Sequence, residues 1–145
     1  MRQVISTLLM LLFPSMGHSL PFNSDLSDFS SYDGVKFVLA DEVSGGCFTN
    51  LGVVEDYAKS KIALSGMELT EQDNNRYAFV VLAHGGKGNV IGYCQGQITV
   101  GLYSEIDMWN GERGLVIIKE IGYQFQGRSF NDVVLDQIGR FFKKE

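Results

Sequence analysis

Proline is absent after Pro21, and histidine is down to His18 and His84 in a chain of 145 residues. There are two cysteines, Cys47 and Cys94, and a single tryptophan, Trp109. Each scarcity excludes something. Two distant cysteines and two histidines supply no structural-zinc spacing, so no metal site is expected. With no Gly-x-Ser-x-Gly elbow, a serine triad would have to borrow His84. No basic run occurs apart from Lys143-Lys144, and the net charge is −5. Such a chain is a poor candidate for neutralising phosphates, so no nucleic-acid partner is expected. The longest apolar stretch, Val4 to Phe13, is far short of the roughly 20 residues that cross a bilayer, and stable membrane insertion is not expected.

That short stretch has a different meaning. Arg2 precedes it, Pro14 ends it, and Ser15, Gly17 and Ser19 supply small residues of the kind a signal peptidase reads. Residues 1–19 are therefore read as a signal peptide cleaved near Ser19, with a periplasmic or secreted product. Removal of Arg2 would bring the net charge to about −6. In an oxidising compartment an even cysteine pair reads as a disulfide. A Cys47–Cys94 bond would stabilise the domain by roughly 3–4 kcal/mol through loop closure.

Residues 20–34 are rich in Ser and Asp without periodicity, and are read as a flexible, solvated leader with Phe22, Leu26, Phe29 and Tyr32 docking loosely. Residues 35–145 are read as one globular domain. Val35 to Val43 predicts a strand and Ser44-Gly45-Gly46 a break. A helix is predicted over 49–65, on the stripe Leu51, Val54, Ala58, Ile62, with Thr49 or Asn50 as cap and Gly66 as terminator. Met67 to Leu69 could add a short strand. Arg76 to Ala83, Val90 to Tyr103 and Gly114 to Gln126 read as three strands joined by hairpins at 84–89 and 110–112. In the last of them Leu115, Ile117, Ile121, Tyr123 and Phe125 are in phase. A final helix over 130–143 follows, its stripe Phe130, Val134, Ile138 and Phe141, with Ser129 and Asp132 resembling a capping box. The sum is an α+β fold: an antiparallel sheet of about four to five strands in β-α-β-meander-α order, with two amphipathic helices packed on one face.

Alternation in the middle strand separates Val90, Cys94, Ile98, Val100 and Leu102 from Tyr93, Gln95, Gln97, Thr99 and Tyr103. The second set, with Trp109, is a candidate binding face, because neutral amides and amphipathic aromatics suit recognition without chemistry. The glycine-rich run Gly85-Gly86-Lys87-Gly88 joins two strands rather than opening a helix, and lacks the Gly-Lys-Ser/Thr ending of a phosphate loop. No cofactor is expected. The sequence thus predicts an exported, non-enzymatic binding or accessory module acting by protein, peptide or glycan contact. The alternative is a small secreted thiol hydrolase, a peptidase or amidase. There Cys47 at a helix N-terminus would be the nucleophile, His84 the base and Asp41 or Glu42 the group orienting it.

Overall fold

The computed structural model describes residues 29–72 and 76–143; the signal sequence read over 1–19 lies outside them. Four strands and two helices make up the described residues. They run β1 (Val35–Val43), α1 (Leu51–Leu64), β2 (Tyr77–Lys87), β3 (Cys94–Asp107), β4 (Arg113–Gly127) and α2 (Asn131–Phe141). One sheet contains all four strands in the order β1-β2-β3-β4. β2, β3 and β4 form the antiparallel meander. β1, however, runs parallel to β2, so the sheet is mixed where an antiparallel one was expected. The cause is the connection: α1 carries the chain back along the sheet, and a strand–helix–strand unit returns to the same end. Met67 to Leu69 contributes a single parallel bridge, Val35 to Leu69, rather than a strand.

The inward side chains of the sheet are Phe79, Val81 and Ala83 from β2 and Ile98, Val100 and Leu102 from β3, all fully buried. Val54, Ala58 and Ile62 of α1 and Val134, Ile138 and Phe141 of α2 join them in one cluster. Each large apolar side chain so buried contributes roughly 1.5–3 kcal/mol. Phe141 is stacked on Phe29 at 5.7 Å and edge-on to Phe79 at 5.1 Å. Phe29, in the segment whose composition reads as solvated leader, is therefore part of the packed core.

Helix ends differ from their sequence signatures. Asn50 stands at the N-cap of α1 without a side-chain cap bond. Thr49 instead pairs with Asn131, its hydroxyl oxygen accepting from Asn131 Nδ2 at 3.0 Å. Phe130, not Ser129, is the N-cap of α2, and Ser129 Oγ accepts the N–H of Asn131. Gly66, at φ 89°, does follow the end of α1, in the left-handed conformation that glycine adopts most easily.

Two strand limits move in ways that matter for the site. β2 continues through His84 to Lys87, so the hairpin expected at 84–89 shifts to the residues between Lys87 and Cys94. A register shift between Leu102 and Tyr103 interrupts the β3–β4 ladder. Ile117 pairs with Tyr103 and Ile121 with Val100, and those two β3 residues lie on opposite faces. The extra residue, Ile118, thus reverses the phase of β4. Leu115 and Ile117 do not share a face with Ile121, Tyr123 and Phe125, contrary to what simple alternation implies.

Cys47 and Cys94 are bonded, with Cα atoms 5.8 Å apart and 47 residues between them in sequence. Both are buried. Comparing urea melts with and without reductant should show a loss of roughly 3–4 kcal/mol on reduction, with two thiols becoming alkylatable only under reductant.

Candidate functional site

The face of the sheet opposite the core carries a polar row across all four strands. Glu42 pairs with His84, His84 with Gln97, and Gln97 with Gln124. The next row toward the disulfide is Gly86, Gln95 and Gln126. In a pleated sheet, register partners point to the same face, so these side chains converge without a loop having to place them. Strand geometry puts Gln95, Gln97, Gln124 and Gln126 at the corners of a grid roughly 7 by 5 Å. Among the described residues none of the four amides has a hydrogen-bond partner. The four glutamines, with Ser44, His84, Gly85 to Lys87, Gly96 and Phe125, line an open groove of about 850 Å³.

The floor of this groove depends on close backbone approach. Gly85 and Gly96 are register partners. A Cβ on Gly96 would lie 2.1 Å from the His84 carbonyl oxygen and 2.9 Å from the Phe130 ring. Phe130 in turn packs edge-on against Phe125 at 4.9 Å. Glycine at 96 therefore lets the first aromatic of α2's stripe close the core directly beneath the glutamine grid. At the rim, the Lys87 stem lies across Gly45, whose φ is 75°. The disulfide fastens this end of the sheet, since Cys94 immediately precedes Gln95 and Cys47 lies in the turn after β1.

His84 Nδ1 is 3.1 Å from Glu42 Oε2, and both side chains are largely solvent-exposed. Exposure of this kind limits the pair to roughly 0–1 kcal/mol of stability. Its significance is positional, as a polar clamp beside the amides.

The nucleophile arrangement of Cys47, His84 and Asp41 is not assembled. Cys47 is buried and its sulfur is committed to Cys94. His84 projects from the face opposite the core. Asp41 and Glu42 are neighbours on a strand and so point to opposite sides; Glu42 reaches the imidazole, and Asp41 Oδ1 accepts the N–H of Val43 instead. Among the described residues no group of three or more His, Cys, Asp or Glu is disposed to hold a metal ion.

The candidate face read from alternation divides. Gln95 and Gln97 are exposed in the groove, and Thr99 follows in the next row, half-buried between Leu82 and Gly122. Tyr103 lies two rows further along and folds over Gly101, where a Cβ would meet its ring at 2.6 Å. Its hydroxyl donates to Glu120. Burial and this carboxylate, in that order, push the Tyr103 phenol above its ordinary value. Tyr93 lies outside β3, exposed in the β2–β3 loop. Trp109 lies at the far turn, about 40 Å from Gln97 by strand rise, and cannot share a site with it. Gln124 and Gln126 were missed by reading β3 alone. Their signal was the alternation of Tyr123-Gln124-Phe125-Gln126, which repeats the amide spacing of Gln95 and Gln97.

Fold and site together define a small α+β domain closed by one disulfide, with a polar groove on the open face of a mixed sheet. No family model matches the chain, and no curated protein matches it in sequence. Among solved structures, the PelC dodecamer from Paraburkholderia phytofirmans is similar at 17% identity, over 76% of this chain and 83% of that one, with a TM-score of 0.41. Among the described residues no helix is long and apolar enough to cross a membrane.

Two outcomes are expected here. Gly96→Ala should destabilise the domain by about 1–3 kcal/mol, because the added methyl meets backbone that cannot yield; thermal or urea unfolding measures it. In a spectrophotometric pH titration Tyr103 should ionise above the ordinary tyrosine range near 10, and Tyr103→Phe should remove one phenol from the latest-ionising class. Because the folded-state value is raised, the associated stability is fully present below the unfolded value and is lost as pH rises through the folded one.

Proposed function

We propose that this domain is a non-enzymatic binding or accessory module that works outside the cytoplasm, and that the glutamine groove is its contact site. The observation that carries the proposal is the set of four amides, Gln95, Gln97, Gln124 and Gln126, in register on adjacent strands and without partners among the described residues. Each amide offers both donors and an acceptor. Such a grid matches hydroxyl pairs or peptide groups, and so favours a polar, largely uncharged chain: a glycan or an extended peptide. The Cys47–Cys94 bond supports the compartment, since such bonds persist where the surroundings are oxidising.

His84, held by Glu42, and Lys87 both line the groove from β2. The sheet supplies rigidity, so little conformational entropy is lost when a ligand settles on it. The role of the glutamines is to fix orientation, each contact contributing about 0.5–1.5 kcal/mol.

The test is a titration of the purified protein with neutral oligosaccharides and with extended peptides, followed through the side-chain amide signals of the glutamines by NMR. A cognate ligand should shift all four sets of signals. Gln95→Lys combined with Gln97→Lys should weaken it by roughly tenfold or more. Undiminished affinity in that double variant would place the contact site elsewhere. His84→Ala should leave the unfolding midpoint nearly unchanged, in keeping with the exposure of its partner Glu42.

A further inference from the structure

The two edges of the sheet are guarded differently. On β4 the extra residue Ile118 interrupts the ladder, and Lys119 turns inward to donate to the Phe141 carbonyl at 2.8 Å. A bulge and an inward lysine both keep an edge from pairing with other chains. β1 is the opposite edge, and its two ends reveal its bonding parity. The Ser44 N–H donates to the Gly85 carbonyl, so even-numbered residues bond across to β2. Val35 instead donates to the Glu68 carbonyl and accepts the Thr70 N–H, so odd-numbered residues face outward. This short parallel bridge goes no further, because the Gln72 N–H turns back to Thr70 Oγ1. At the other end the Asp41 carboxylate accepts the outward Val43 N–H.

Between these two closures lie Phe37-Val38-Leu39-Ala40, half-buried and free of charge and proline. Among the described residues no bond reaches the outward N–H and C=O groups of Phe37 or Leu39. Such a row repeats a donor and an acceptor every two residues, which another extended main chain matches group for group. A hollow of about 470 Å³ adjoins it, between β1, α1 and residues 69–71. Phe37 and Leu69 give the hollow its apolar surface. Its charges balance, Lys36 and Lys59 against Glu55 and Glu71, and Lys59 is tied to Glu55 at 2.7 Å. A strand laid beside β1 would point the residue opposite Phe37 to the same face as Phe37, and so into the hollow. An apolar seat with balanced charge suits an uncharged side chain.

We infer that the free edge of β1 binds an extended peptide segment of another protein, added as a fifth strand with an uncharged apolar side chain seated beside Phe37. Main-chain bonds to Phe37 and Leu39 give the affinity, and the hollow gives the selectivity. The mode continues what the chain already does at Val35, where its own residues 68–70 pair with the same edge. Edge and hollow share no residue with the glutamine groove, so this inference stands or falls separately from the function proposed above.

The probe is a heptapeptide selected from a random library on the purified protein, then synthesised unmodified and in two forms with alternate amides N-methylated. Amide hydrogen exchange of the protein is followed by NMR with and without it. In the free protein Phe37 and Leu39 should exchange quickly, and Val38 and Ala40, bonded to β2, slowly. Saturating peptide should protect Phe37 and Leu39 by roughly tenfold or more. One N-methylated form should bind roughly tenfold more weakly and the other like the parent, because alternate amides of a strand face away from its neighbour. Leu39→Pro removes one outward N–H and spares the β2 ladder, and should weaken the peptide by roughly tenfold or more; far-UV circular dichroism checks that this variant folds. Gln95→Lys with Gln97→Lys should leave the peptide's affinity unchanged. The inference is overturned if no heptapeptide binds, or if both N-methylated forms lose affinity equally. It is also overturned if bound peptide shifts the glutamine side-chain amides and leaves Phe37 and Leu39 unprotected. Protection that rises with protein concentration alone would overturn it in favour of a second copy of this chain.

Discussion

The covalent tie between Cys47 and Cys94 constrains the part of the molecule on which the rest depends. It joins the turn that leaves β1 to the first residue of β3, two places that the sheet itself separates by β2. The Cys47 carbonyl also accepts the Phe130 N–H at 2.9 Å, so the same turn anchors the start of α2. One turn therefore links the edge strand, the central hairpin and the last helix. A domain of this size buries a modest core, and a cross-link there limits the excursions of the unfolded chain where loop closure is most demanding.

From that anchored end, side-chain alternation sorts the sheet into two surfaces. The core side is filled by branched aliphatics and the aromatic cluster of Phe29, Phe79, Phe141 and Phe142. The other side carries the rows of Glu42, His84 and the four glutamines near the anchored end, and the Tyr103–Glu120 pair further along. Toward the middle one row holds Ala40, Leu82 and Thr99, all half-buried, beside the exposed Gly122. The groove lies over the anchored end of the sheet, lined by the four glutamines and His84. Binding surface and structural anchor occupy the same end of the sheet, which keeps the amides in fixed geometry.

The two ends of β3 thus differ in character. One is cross-linked, polar and backed by packed aromatics. The other is a ribbon with exposed apolar side chains such as Trp109 and Leu115, with nothing from the same chain laid over it among the described residues. The bulge at Ile118 separates the two regimes by reversing the phase of β4.

Much of this was legible in the sequence because it is local. The stripes of α1 and α2, the alternation in β3, and the assignment of Gln95 and Gln97 to the surface opposite Ile98 and Val100 all follow from periods of 3.6 and 2, which a single segment carries within itself. What needed the tertiary structure is whatever depends on two segments at once. The parallel pairing of β1 with β2 was decided by the path of α1. The bulge was decided by competition between β3 and β4 for register, which no strand records alone. The distance between Trp109 and the glutamines follows from β3 running unbroken to the far turn. Glu42, rather than Asp41, meets His84 because of the register between β1 and β2. The amide grid itself exists only because β4 sets Gln124 and Gln126 beside Gln97 and Gln95. Sequence determined which side chains face the same way along each strand; pairing across strands, a matter of long-range contact, decided which of them meet.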